Sequence, residues 1–327
     1  MVTLTLAIIA GIDLARYPDR PDGVGSETRI VTIAPGASVR SVATHLEAQG
    51  LIRSPLRFRL YARLTGLDKQ IKAGEYEFSG MMTPGQILAA LKGGKVRLYH
   101  LTIPEGFNLA QIAAVVAEAG YGDAAGFLRL ATDPQLAHEV DPEAQTLEGY
   151  LFPDTYSLPR GLSQRDIIAA MLARFRSEIS EAWRQRAQAL GLSMHQVVTL
   201  ASIIEKETGD PAERPLISSV FHNRLRKGMR LETDPTVIYG IADFDGNLTR
   251  AHLRTPTPYN TYTFKGLPPG PIASPGRAAL EAALYPAETD FLFFVARKDG
   301  THQFSTNLAD HRKAVRQYQL KPRRKRQ

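Results

Sequence analysis

The stretch Met194 to Thr208, MHQVVTLASIIEKET, constrains this chain more than any other. From Val197 to Ile204 it is apolar at almost every position, and only the small residues Thr199 and Ser202 interrupt it. A helix that is hydrophobic on every side cannot sit on a surface, so it must be the centre of a core. Gly209 and Pro211 end it. A buried helix needs other elements to cover it. The chain can supply them: 327 residues, 43% hydrophobic and 22% charged, is ordinary globular composition and long enough for two domains.

Glu205 and Glu207 close this helix. Burial disfavours a carboxylate, and so does the negative end of the helix dipole. A glutamic acid held protonated near neutral pH is suited to general-acid chemistry. The two are not equivalent. Glu205 continues the line of Met194, Val198 and Ala201, whereas Glu207 continues that of Leu200 and Ile203. Two residues correspond to about 200° of helix, so both cannot point into one cleft. One can be catalytic while the other makes a structural contact. The plainer alternative places both in water at a helix end.

Strong local signals punctuate the chain beyond this helix. Asp210 as N-cap, Pro211 as first helical residue and Glu213 as capping-box partner predict a helix carrying Leu216, Ile217, Val220, Phe221 and Leu225 on its apolar face. Leu231 to Gly240 predicts a short helix capped by Thr233 or Asp234. The proline-rich segments 255–262 and 266–276 read as long, rigid loops that hold Asn260 and Tyr262 in place. Such loops are more often functional than not. Ser274 then caps a predicted helix over 275–285. A hairpin over Lys298-Asp299-Gly300 and a closing helix from about Leu308 to Tyr318 complete the sequence of elements.

The first third contains a repeat. Residues 31–50 (VTIAPGASVRSVATHLEAQG) align without a gap on residues 101–120 (LTIPEGFNLAQIAAVVAEAG). Each has an alternating strand, a turn ending in glycine (Gly36, Gly106), a helix and a terminal glycine (Gly50, Gly120). Val39, Val42, Ala43 and Leu46 match Leu109, Ile112, Ala113 and Val116, the spacing of one helical face. Residues 76–91 sketch a weaker third copy. The first unit resembles the LysM modules that bind peptidoglycan glycan chains, and a purely structural spacer is the alternative. Further on, LEGYLFPDTY (147–156) sets Glu148 and Asp154 among aromatic rings. Rings with acceptors nearby suit a sugar-binding cleft. The blander reading, rings plugging a core, is favoured on sequence alone.

The termini and the charge bear on location. Val2 to Ile12 is apolar and uncharged, about half of the roughly 20 residues a spanning helix needs, and reads as a truncated signal anchor followed by a linker over Tyr17 to Gly25. The formal net charge is +7, which first suggests a nucleic-acid partner. Five of the forty basic residues lie within Lys321 to Gln327, so the remainder is close to neutral and that suggestion loses its support. The chain has no cysteine, which removes disulfides, Cys-ligated zinc, iron–sulfur clusters and thiol nucleophiles. No dinucleotide or Walker glycine loop, no G-x-S-x-G motif and no H-x-x-x-H pair is present.

Taken together, ASIIEKET (201–208), FHNRLRKGMRLETDPTVIYG (221–240), YNTY (259–262), GLPPGPIASPG (266–276), FVARKDGTHQFSTNLADH (294–311) and LEGYLFPDTY resemble the YceG-like family, the endolytic murein transglycosylases called MltG. The resemblance covers roughly residues 28–320. It implies an α+β chain: a residual membrane anchor and linker (1–26), a LysM-like module (27–104), a mixed, mainly helical catalytic domain with a β-hairpin (105–320) and a basic tail (321–327). It implies a bacterial enzyme, single-pass in the inner (plasma) membrane with its catalytic domain outside the cytoplasm. That enzyme would cut the N-acetylmuramic acid–N-acetylglucosamine bond of nascent glycan strands and leave a 1,6-anhydro end. Peptidoglycan strands are the implied substrate and peptidoglycan synthases the implied partners, with no nucleic acid, metal or cofactor. The family's catalytic glutamate falls on Glu205. Glu148, Thr233, Asp234, Tyr239, Asn260 and Tyr262 are the expected substrate-binding residues. Where the family has a full spanning helix preceded by basic residues, this chain has half a helix and no preceding charge. Two rival readings stand beside this one: a non-catalytic glycan-binding scaffold, and a pyridoxal-phosphate lyase of the aminodeoxychorismate type. The second lacks a phosphate-cradling loop and an evident Schiff-base lysine.

Overall fold

The computed structural model describes residues 11–320. The apolar run expected to be an anchor lies almost wholly outside the described residues, and the basic tail 321–327 lies entirely outside them. The fold is mixed α+β, with many short helices and three two-stranded sheets among the described residues. The chain divides into two compact units. The first holds residues up to His100 together with Tyr156–Leu162, and the second holds Leu101–Thr155 and the chain from Ser163 onward.

In the first unit, β1 (Thr28–Ile33) pairs antiparallel with β2 (Gly74–Ser79), with Val31 opposite Tyr76. Both strands alternate, and Val31, Ile33, Tyr76 and Phe78 face inward with almost no exposure. They meet the apolar stripes of three helices, Val39–Ala48, Pro55–Leu64 and Pro84–Gly93. Phe58, Ile87, Leu88 and Leu91 fill the space between. The repeat is real at the level of structure. Each of its three copies is a strand, a turn and a helix, the helices being Val39–Ala48, Pro84–Gly93 and Leu109–Glu118. Gly36 and Gly106 both take a positive φ, 72° and 74°, a backbone state that a side chain would strain. The copy at 101–120 begins on β3 (Leu98–Thr102), which pairs with β4 (Thr155–Pro159).

The second unit is built around the central helix, Met194–Glu207. Its start is fixed by a capping box, with the Ser193 hydroxyl accepting from the Gln196 amide and the Gln196 side chain accepting from the Ser193 amide. Residues 197–204 are buried without exception, as the all-round apolarity requires. The helix Arg277–Leu284 lies along it, and Arg214–Arg226 packs beside both. The rings of 147–156 are buried, Tyr150 and Phe152 in this unit and Tyr156 in the first. Their carboxylate neighbour Asp154 pairs with Arg174 at 2.6 Å. The bland reading therefore holds for this segment's aromatics. The hairpin is present as β5 (Phe293–Ala296) and β6 (His302–Ser305), followed by the helix Leu308–Val315.

Two caps differ from expectation. The helix after the central one begins at Arg214, and Glu213 makes no capping contact. Its carboxylate instead accepts from the His302 backbone amide at 2.8 Å and lies 2.6 Å from the His302 ring nitrogen. Gly276, not Ser274, occupies the N-cap of Arg277–Leu284. Ser274 has turned inward and is fully buried. Among the described residues no single helix is long and apolar enough to cross a membrane.

Candidate active site

The two glutamates at the end of the central helix point to different surroundings, as their 200° separation requires. Glu205 is almost fully buried, with its side chain 6% exposed. One carboxylate oxygen accepts from the Arg214 guanidinium at 3.0 Å, and the other accepts from the Gly276 backbone amide at 3.0 Å. Arg214 also reaches Glu105 at 3.6 Å. Burial pushes the Glu205 carboxyl above the ordinary carboxylate range, the Gly276 amide and Arg214 oppose that rise, and the charge of Glu105 adds to it.

Three segments fix this constellation. Arg214 opens the helix that comes after the central one, so a single chain reversal brings it back to Glu205. Gly106 sits against Glu205, its amide donates to the Ser274 carbonyl at 2.9 Å, and its own carbonyl accepts from Lys206 at 3.1 Å. Ser274 in turn donates its amide to the Phe107 carbonyl at 2.8 Å. Gly276 packs directly against the Glu105 side chain, which would have to move aside for any larger residue. The proline-rich loop is also tied to the middle of the central helix. The Ile272 amide donates to the Ser202 hydroxyl at 3.0 Å, and the His195 ring joins the Tyr150 hydroxyl and the Pro269 carbonyl, each at 2.8 Å.

Glu207 takes the other side. The Thr233 hydroxyl donates to it, which is why Thr233 does not cap its own helix, Asp234–Tyr239. Burial pushes the Glu207 carboxyl up to about 7. It borders a cavity of about 370 Å³ lined also by Arg224, Asp234, Tyr262, Phe293 and His311. The Tyr262 hydroxyl donates to Asp234 at 2.7 Å across that cavity's wall.

The remaining expected residues fall elsewhere. Glu148 is 4% exposed and accepts from the Leu109 amide at 3.2 Å and the Tyr239 hydroxyl at 3.1 Å. Burial pushes its carboxyl up to about 7. Tyr239 meets Tyr259 edge to face at 4.7 Å. Asn260 is fully buried, its amide donating to the carbonyls of His252, Leu253 and Thr255 and its oxygen accepting from the Tyr262 amide. With its side-chain donors and acceptor engaged by backbone, Asn260 is a staple of the proline-rich loop. The expected set is thus not one cluster: Thr233, Asp234 and Tyr262 gather beside Glu207, buried Glu148 pairs with half-buried Tyr239, and Asn260 braces a loop. Arg214, Glu105 and Gly276, which surround Glu205, escaped sequence reasoning. Their one available signal is an arginine at the start of the helix immediately after an acid-bearing helix end.

Among the described residues no group of three or more His, Asp or Glu side chains converges to hold a metal ion. The YceG-like family model matches residues 31–317. The chain belongs to the YceG-like family. The resemblance carried by ASIIEKET and the motifs after it is thereby borne out. Among YceG-like relatives, the endolytic murein transglycosylase of Bacillus subtilis (strain 168) is 36% identical over 305 residues, covering 88% of this chain and 84% of that protein. The endolytic murein transglycosylase of Streptococcus pneumoniae (strain D39) is 31% identical over 321 residues, and the match covers 88% of this chain and 58% of that one. A 2.6 Å crystal structure of a yceG-like protein from Listeria monocytogenes superposes with a TM-score of 0.60 at 37% identity, over 88% of this chain and 99% of that chain.

Proposed function

We propose that this YceG-like chain is an endolytic peptidoglycan lytic transglycosylase and that Glu205 is its catalytic acid and base. The observation that carries the reading is the Glu205 constellation: one buried carboxyl, held by an arginine and a backbone amide, on the helix end that carries ASIIEKET. The names of the Bacillus and Streptococcus relatives supply the substrate, murein.

The chemistry needs one carboxyl group. Protonated Glu205 gives its proton to the glycosidic oxygen as the bond from that oxygen to muramic C1 breaks, and N-acetylglucosamine leaves with a free 4-hydroxyl. The C6 hydroxyl of the muramic ring attacks its own C1, and its proton returns to Glu205. The product is a 1,6-anhydro end, and the enzyme is restored. An intramolecular nucleophile makes the second carboxylate of an ordinary glycosidase unnecessary. Burial favours the protonated form at the first step. Arg214 and the Gly276 amide support the carboxylate at the second, so opposing influences keep one group usable in both roles.

Asp234 and Tyr262, on the wall of the 370 Å³ cavity beside Glu207, are the residues we assign to sugar contact at a subsite away from the scissile bond, which lies on the Glu205 side of the helix end. Thr233, Glu148, Tyr239 and Asn260 support that wall and its loops from behind. The two strand-turn-helix copies of the first unit, the LysM-like one included, are assigned to holding the glycan strand. The enzyme would act outside the cytoplasm on strands emerging from peptidoglycan synthases. Replacing Glu205→Gln keeps the shape and removes the proton, and digestion of purified peptidoglycan with product analysis tests the assignment. Binding without anhydro products from the wild type would favour a scaffold instead.

A further inference from the structure

The first unit carries a surface that the catalytic reading leaves unused. The helix Pro55–Leu64 buries Phe58 and Ala62 and turns Leu56, Leu60 and Leu64 to solvent, at 70%, 44% and 68% exposure. Spaced four apart, these three leucines fall within an arc of about 80°. Arg59 and Arg63 border that arc on one side and Arg57 on the other. Leu56 and Leu60 line a groove of about 610 Å³ that also carries Arg40, Arg59, Arg63 and Lys69 against one carboxylate, Asp68. An apolar stripe flanked by cations on one helix face is the pattern of an element that lies in a membrane interface.

A second observation locates the face relative to the start of the described chain. Asp13 forms an ion pair with Arg57 at 3.0 Å. Asp13 is the residue at which the apolar, uncharged run 2–12 ends. The first described residues after that run therefore meet the edge of the leucine and arginine stripe.

We propose that this face of the first unit, built from the Pro55–Leu64 helix with Arg40 and Lys69, docks on the surface of an anionic lipid bilayer. The leucines enter the headgroup boundary and the cations meet lipid phosphates. The proposal concerns a surface outside the Glu205 constellation and stands whether or not Glu205 is the catalytic acid.

The chain has no cysteine, so Leu64→Cys provides a single labelling site for an environment-sensitive fluorophore in the full-length protein. The probe is titrated with phosphatidylglycerol-containing vesicles, with phosphatidylcholine vesicles, and with purified peptidoglycan. The expected result is a shift to apolar surroundings on the anionic vesicles only, reversed by salt. Each cation near such a surface changes binding about fivefold, so Arg59→Ser together with Arg63→Ser should weaken the response about 30-fold. Matching unfolding midpoints show that the variants fold. Three results would overturn the proposal: a silent probe while the chain cosediments with anionic vesicles; an equal response on neutral vesicles that ignores the arginines; or a response to peptidoglycan and not to vesicles, which assigns the face to murein.

Discussion

Glu205 and Glu207 stand two positions apart on one helix end and have opposite fates. Glu205 has two charge-supporting donors, whereas Glu207 accepts from the Thr233 hydroxyl and holds the start of the Asp234–Tyr239 helix. Glutamine at 207 can still accept that hydrogen bond. We therefore expect Glu207→Gln to lose less than about tenfold in turnover where Glu205→Gln loses about 100-fold or more, the range for a general acid. Steady-state release of anhydro ends from both variants checks it. Glu148 offers a test by pH. Its folded-state value near 7 lies above the 4.5 of an exposed glutamate, so the folded protein holds that proton more tightly. Its contribution to stability is full below about pH 4.5 and is lost as the pH rises through about 7. Glu148→Gln carries no such proton. Denaturant unfolding between about pH 5 and pH 8 should show the wild type losing on the order of 3 kcal/mol relative to this variant.

At the scale of elements, periodicity and punctuation made most of the fold readable. The central helix announced its burial because no face of residues 197–204 is polar. The repeat announced two of its strand-turn-helix units because Gly36 and Gly106 stand where the backbone needs a positive φ. Caps were less readable. Glu213 and Thr233 have the right identities and positions for capping, yet His302 and Glu207, distant in sequence, compete for them and win. The candidate site was readable only as far as Glu205. Arg214, Glu105 and Gly276 belong to three segments that the tertiary fold brings together, and no local pattern links them. Asn260 illustrates a related limit of local pattern: a polar residue in a rigid loop looks the same in sequence whether it faces a ligand or its own backbone, and here its side-chain amide donates to three backbone carbonyls. Gly149 tests the packing of Glu148's segment on the central helix. It has φ 84°, and a Cβ would lie 2.5 Å from Pro271. Gly149→Ala should cost about 2–3 kcal/mol, from backbone strain and overpacking together, measured by chemical denaturation.

At the scale of the whole molecule, the second unit contains the entire Glu205 constellation, while the leucine and arginine face belongs to the first. The two should separate experimentally. Arg59→Ser with Arg63→Ser should leave release of anhydro ends from soluble glycan strands within about twofold of wild type, since the Pro55–Leu64 helix lies outside both the Glu205 constellation and the strand-turn-helix copies assigned to the glycan, while vesicle association falls. The near-neutral body of the chain fits a substrate with an uncharged sugar backbone, and its net charge says nothing about nucleic acid once the last seven residues are set aside. The central claim is that one carboxyl group, Glu205, performs two proton transfers. Mass spectrometry of the products from purified peptidoglycan, wild type against folded Glu205→Gln, addresses that directly. The wild type should release 1,6-anhydro-muramic ends and the variant should lose them almost completely; anhydro ends released by Glu205→Gln at the wild-type rate would contradict the claim.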